Sequence, residues 1–160
     1  MADTGSDETN KVDAEAPRAV PHLIRVFAAH APTEAPQRHA LLSLDEVEIG
    51  RTPSAGYRRS GSRLRVGVSG TWASERHARL VRSLGKWQVE DLESKNGTWI
   101  NGTRVTRSLL ADGDVVDVGH TLFVFLRALS WAPADLADAG AITSLECVPT
   151  LYPELARALG

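Results

Sequence analysis

Asp91-Leu92-Glu93-Ser94-Lys95-Asn96-Gly97-Thr98-Trp99-Ile100-Asn101-Gly102 carries two Asn-Gly steps five residues apart, joined by the short strand Thr98-Trp99-Ile100. Asn and Gly both tolerate positive φ, which makes Asn-Gly the strongest short-range turn signal. Ser94 and Lys95 precede the first step. Amide, hydroxyl and ammonium groups are thereby gathered at one end of a sheet. Such a cluster has the chemistry to hold an anion together with the backbone of an extended peptide.

The same texture continues on both sides. The chain reads as short strands: His22–Ala28, Ala40–Leu44 and Glu46–Ile49 as a hairpin turning at Asp45, Arg63–Val66, His77–Arg82 paired with Lys86–Asp91 across Ser83-Leu84-Gly85, Thr98–Ile100 with Thr103–Val105, and Val115–Val118 with Thr121–Leu126 across Gly119-His120. Trp87 and Val89 share a face at the two-residue period of a strand. Leu122-Phe123-Val124-Phe125-Leu126 is apolar on both faces, which predicts a central strand. Thr52–Ser62, rich in Gly, Ser and Arg, reads as a long polar loop, as does the Pro-containing stretch around residues 32–36. Many short strands separated by turn chemistry predict an all-β sandwich.

The ends differ. Residues 1–20 are polar, acidic and poor in large apolar side chains, which predicts a disordered tail. After Arg127 the composition turns to Ala, Leu and Asp with Pro133, Pro149 and Pro153. Residues 129–160 read as a linker, possible short helices at Leu136–Ala139 and Glu154–Leu159 included. The intervening 21–128 is the domain. A hydrophobic content of 42% suffices for a core, and a net charge of −2 exerts no global pull on nucleic acid or membrane. A single cysteine, Cys147, excludes an internal disulfide and a multi-cysteine zinc site. The N-terminus lacks a secretory pattern and no stretch is long enough to span a bilayer, so a cytoplasmic location is expected.

An ordered set of short motifs runs through the domain: Gly50-Arg51, Ser74-Glu75-Arg76-His77-Ala78, Asp91-Leu92, Ser94-Lys95-Asn96-Gly97-Thr98, Asn101-Gly102, Gly113-Asp114 and Val118-Gly119. In this order and spacing they resemble the forkhead-associated (FHA) family over roughly 21–128. The resemblance implies a two-sheet antiparallel β-sandwich of the FHA/SMAD type, whose loops at one end bind phosphothreonine peptides without catalysis.

Carried onto this chain, the resemblance makes Arg51 the phosphate-binding arginine, whose planar fork engages two oxygens at once. Ser74 becomes the phosphate-contacting serine, and Asn96 the residue that bonds the ligand backbone through its carboxamide. Lys95 lies where the family often contacts phosphate, and here adds an ammonium. His77 becomes a structural brace, while Gly50, Gly97, Thr98, Asn101 and Gly102 support the loops. Trp99 is placed to shape the wall near the ligand.

Two features depart from the family pattern. Glu75 stands where relatives often carry a cation or Asn; either it points away, pairing with Arg76, or it weakens phosphate binding. Thr52–Ser62, followed by Arg63, is either a flexible insertion or a rim, basic through Arg58, Arg59 and Arg63, that steers acidic phosphopeptides.

Asp112, Asp114 and Asp117 alternate through a turn and strand and suggest turn support rather than a metal site. No cofactor, nucleotide loop or activated nucleophile is expected. The expected partner is a phosphothreonine-containing protein or peptide in Ser/Thr-kinase signalling, with no direct binding to nucleic acid or membrane. A phosphate-independent interaction or oligomerisation domain on the same scaffold is the alternative. Finally, Thr150–Arg157 (TLYPELAR) resembles the stretch before the ATPase module of bacterial enhancer-binding transcription activators, some of which carry an N-terminal FHA sensor.

Overall fold

The computed structural model describes residues 18–131. Its strands are β1 (Arg18–Ala28), β2 (Gln37–Ala40), β3 (Glu46–Arg51), β4 (Gly56–Ser60), β5 (Arg63–Val68), β6 (Ala78–Ser83), β7 (Lys86–Asp91), β8 (Thr98–Ile100), β9 (Thr103–Val105), β10 (Arg107–Leu109), β11 (Val115–Val118) and β12 (Thr121–Trp131). They form two six-stranded sheets, ordered β2-β1-β12-β11-β8-β9 and β10-β7-β6-β3-β5-β4.

Alternation builds the core. Leu23, Val116, Val118, Phe123 and Phe125 of the first sheet face Val47, Ile49, Val66, Leu80 and Val89 of the second in one apolar cluster. β12 is central and two-faced, as its apolar run predicts: Val124 and Leu126 pack with Ile24 on the opposite side of the sheet. Among the described residues no helix is long and apolar enough to cross a membrane.

Several elements differ from the sequence reading. The hairpin across Asp45 does not form. β2 pairs with β1, whereas β3 lies in the other sheet between β5 and β6. Leu41 and Leu44 are buried in the core where the chain crosses between sheets. The second sheet is of mixed orientation rather than antiparallel throughout, because β3 and β5 run parallel, whereas every pairing in the first sheet is antiparallel. A parallel pair needs a long crossover, and residues 52–62 supply it. That segment is therefore no loop insertion: it contains β4, paired antiparallel with β5. β10, absent from the sequence reading, pairs with β7 at the other edge.

Pairing at the ends continues to Arg18↔Trp131, beyond the expected domain limits at 21 and 128. The expectations for residues 1–17 and 132–160, the two short helices and Cys147 included, fall outside the described residues.

The topology positions the site. β3, β5 and β7 end, and β6 and β8 begin, at the same pole of the sandwich. The loops joining them, 69–77 and 92–97, meet there.

Candidate functional site

Gly50 ends the buried part of β3 and lets the 74–76 loop lie directly on the strand. A Cβ at this position would overlap the backbone carbonyl of Glu75. The contact is closed by the Arg51 amide, which donates to the Ser74 carbonyl at 2.8 Å. Arg51 and Ser74, far apart in the chain, are thus neighbours at the rim.

His77 fastens the two loops together. It is fully buried. Its Nδ1 accepts from the Ser74 amide at 3.1 Å, so Nε2 carries the proton and donates to the Gly97 carbonyl at 3.0 Å. Both ring nitrogens are therefore committed to backbone groups, and the ring braces rather than acts as a base. The Lys95 amide donates to the Ser74 hydroxyl at 3.0 Å, a second tie between the same loops. The Lys95 side chain is exposed.

The 92–97 loop has an internal frame. Ser94 donates to Asp91 through its hydroxyl at 2.5 Å and its amide at 3.0 Å, and Thr98 donates to the same carboxylate at 2.7 Å. The Ser94 hydroxyl in turn accepts from the Gly97 amide at 2.9 Å. Burial pushes the Asp91 carboxyl up, but the bonds from Ser94 and Thr98 outweigh it and hold it below its ordinary value. Gly97 has φ 81°, a conformation that favours glycine, and the Arg104 side chain lies where its Cβ would be. Asn101, at φ 49°, ties the second turn to β11: Nδ2 donates to Asp114 at 2.8 Å and Oδ1 accepts from the Val115 amide at 2.9 Å.

The residues singled out in the sequence do not all stand as expected. Asn96 directs Nδ2 to the Trp72 carbonyl at 2.7 Å, so its donor braces the 69–77 loop. Glu75 does not pair with Arg76. Arg76 binds Glu48 at 3.2 Å, while the Glu75 carboxylate lies 3.9 Å from the Arg51 guanidinium. Arg51 and Glu75 are both well exposed, at 43% and 83%, so water screens the pair heavily. Trp99 is partly exposed and donates to the Asn96 carbonyl at 3.4 Å. Asp112, Asp114 and Asp117 each accept from a backbone amide, of Arg127, Ala111 and His120 respectively.

Three residues escaped the sequence reading. Arg65 donates to the Glu75 carbonyl at 3.0 Å and pairs with Glu48. Nothing local signals this, since it depends on the parallel β3–β5 register. Trp72, more than half exposed, meets His120 edge to face at 5.2 Å. A large aromatic two residues before Ser74 was the available signal. Arg104 became relevant only through its packing on Gly97. Together the rim offers a half-exposed guanidinium, a hydroxyl, an exposed ammonium and braced loop backbone: a cradle for an oxyanion carried on an extended chain.

The FHA domain family matches residues 47–119. The ABC transporter ATP-binding/permease protein Rv1747 of Mycobacterium tuberculosis is 49% identical over 53 residues, 33% of this chain and 6% of that protein. The oxoglutarate dehydrogenase inhibitor of Corynebacterium jeikeium is 38% identical over 87 residues, 54% of each chain. The crystal structure of the FHA domain of the CT664 protein from Chlamydia trachomatis aligns with a TM-score of 0.50 at 25% identity, covering 66% of this chain and 96% of that one. The chain spans about half, or far less, of the length of these curated relatives.

Proposed function

Residues 47–119 belong to the FHA domain family, and on that premise we propose that the protein is a phosphothreonine-peptide binding module in Ser/Thr-kinase signalling. The observation that carries the reading is the meeting of Arg51 and Ser74 at the loop pole, joined by a 2.8 Å backbone bond. A phosphothreonine brings about −1.5 to −2 charges and three acceptor oxygens. Arg51 supplies a planar two-pronged donor, and the Ser74 hydroxyl and Lys95 ammonium supply further donors to the same anion. In this reading Asn96 and the 92–97 backbone hold the peptide beside it. The family resemblance adds a small apolar niche for the threonine methyl.

Glu75 favours a second reading, phosphate-independent binding, because it already occupies the neighbourhood of Arg51. Magnitudes decide between the two. An exposed ion pair contributes about 0.2–1 kcal/mol. A hydrogen bond to a charged group contributes about 1.5–3 kcal/mol, and phosphate offers several. The phosphate therefore displaces the carboxylate.

Thr150–Arg157 lies outside the described residues, and the curated relatives above are a transporter and an enzyme inhibitor. Phosphopeptide recognition, without a role in transcription, is accordingly the function assigned.

Titration calorimetry with one peptide in its phosphothreonine, phosphoserine and unmodified forms tests the reading. The phosphothreonine form is expected to bind tightest. Arg51→Ala is expected to cost about 1.5–3 kcal/mol of that affinity. Equal affinity for the phosphorylated and unmodified peptides ends the proposal in favour of the phosphate-independent reading.

A further inference from the structure

The outer face of the second sheet carries a single row of charge across all six strands. Directly opposed residues in a sheet share a face. Register therefore aligns Arg58 with Arg65, Arg65 with Glu48, Glu48 with Arg79, Arg79 with Glu90 and Glu90 with Arg107. From Arg65 onward the signs alternate, and every neighbouring pair except Glu48 with Arg79 is a direct ion pair. The pattern breaks at the β4 end. There Arg58 faces Arg65, and among the described residues Arg58 has no carboxylate within ion-pair distance. Like charges directly opposed are destabilising, so this edge lacks an anion.

The shape of the surface supplies a seat for one. The next row toward the loop pole is Gly56, Gly67 and Gly50. This row contributes no side chains of its own between the arginine pair and the phosphate cradle. Thr52 closes over Gly67 and the Glu75 backbone over Gly50, whereas the space above Gly56 is open. The resulting groove, about 360 Å³, is lined by Thr52, Tyr57, Arg58 and Arg65 among others. Thr52 and Arg65 also line a second groove that contains Arg51 and Glu75. Thr52 and Arg65 thus form a wall common to both grooves. Arg51 pairs with Val68, three residues along β5 from Arg65. That is about 10 Å, the reach of two to four extended residues once side chains are counted.

We propose that Arg58 and Arg65 form a second anion subsite, which seats a carboxylate or phosphate of the same peptide whose phosphothreonine lies at Arg51. This rests on the phosphothreonine reading above. The bound peptide runs from the rim into the groove beside Gly56, and its second negative group fills the missing place in the charge row. Sequences with an acidic residue or a second phosphorylated residue at that spacing are selected over neutral ones.

The test is a set of phosphothreonine peptides carrying Ala, Asp or phosphoserine at each position from two to four residues on either side. Affinities are measured against the wild-type chain, Arg58→Gln and Gly56→Leu. One position is expected at which Asp or phosphoserine tightens wild-type binding about two- to fivefold over Ala. Arg58→Gln removes that gain and leaves the Ala peptide unaffected. Gly56→Leu keeps every charge but fills the open space, and it removes the same gain. A larger gain from phosphoserine assigns the site to phosphate, and an equal one to either anion. No favoured position, or a gain that survives both variants, overturns the proposal. Failure of the underlying reading is distinguished by titrating Arg51→Ala with O-phosphoserine alone while following the Arg58 and Arg65 guanidinium resonances. Saturable shifts at both uphold the subsite even if no phosphothreonine peptide binds, and their absence overturns it.

Discussion

On the proposed reading, Arg51 does not stand unaccompanied at the phosphate position. The Glu75 carboxylate stands 3.9 Å from its guanidinium, so any incoming phosphate must move a like charge aside. Glu75 reaches this position because its backbone is held twice, by Arg65 on its carbonyl and by the close approach to Gly50. Glu75→Gln keeps the loop path and removes the charge. The dissociation constant for a phosphothreonine peptide is expected to fall, by an amount equivalent to about 0.2–1 kcal/mol at low salt, and the difference should shrink as salt screens the pair. An unchanged or raised constant means that the carboxylate does not compete with phosphate. At this scale the sequence was informative wherever chemistry is local. Ser74 and His77 are three residues apart and do bond each other. The Arg51–Ser74 neighbourhood was available only through the family resemblance, since no local signal spans 23 residues. The inward turn of the Asn96 amide was not readable at all, because it depends on where the Trp72 carbonyl points.

Among the elements, hairpins with turn-forming residues were the most legible. Asn101-Gly102 and Gly119-His120 both have the paired positive φ values of a two-residue hairpin turn. Leu84-Gly85 has them too, at 50° and 75°, although leucine is poorly suited to the left-handed region and here is fully exposed. Leu84→Asn should therefore raise stability by about 0.5–1 kcal/mol, since left-handed backbone costs an ordinary side chain about 1–2 kcal/mol and asparagine much less. Peptide affinity should not change, because the β6–β7 turn lies at the pole opposite the site. A denaturant midpoint that stays level or drops removes the strain argument. β4 and β10 were illegible for a shared reason. Both are exposed edge strands, with no buried face to impose an apolar alternation. The parallel β3–β5 pair was hidden differently: turn and alternation signals report neighbours along the chain, while this register is set by a crossover. Reading residues 52–62 as loop concealed β4, and with it the placement of Arg58 opposite Arg65.

Across the whole molecule, the two sheets close on each other where their edge strands β2 and β4 meet. His39 and Tyr57 pack edge to face there at 5.3 Å, and the buried His39 Nε2 has no hydrogen-bond partner. Burial, reinforced by the positive charge of Arg25, lowers the His39 pKa to about 4. In the unfolded chain the same ring titrates near 6.5. Above that value it is neutral in both states and does not affect folding. Between 6.5 and about 4 the unfolded chain binds a proton that the folded chain refuses, so stability falls as the pH drops and the loss levels off below about 4. The full difference amounts to roughly 3 kcal/mol. His22, whose pKa is also lowered by burial, adds in the same direction. Asp91 and Glu90 are both held below their ordinary values, Glu90 chiefly by its hydrogen bond from Arg79. Their contributions begin to be lost as the pH falls through the ordinary carboxylate range at the foot of this window and go on falling below it, equally in the wild-type chain and in His39→Leu. Urea midpoints measured from neutral pH down to about 4 should fall steeply for the wild-type chain and less for His39→Leu, which keeps an apolar group at the sheet edge. Parallel slopes for the two proteins would place the acid sensitivity elsewhere and leave the β2–β4 closure without a titrating group.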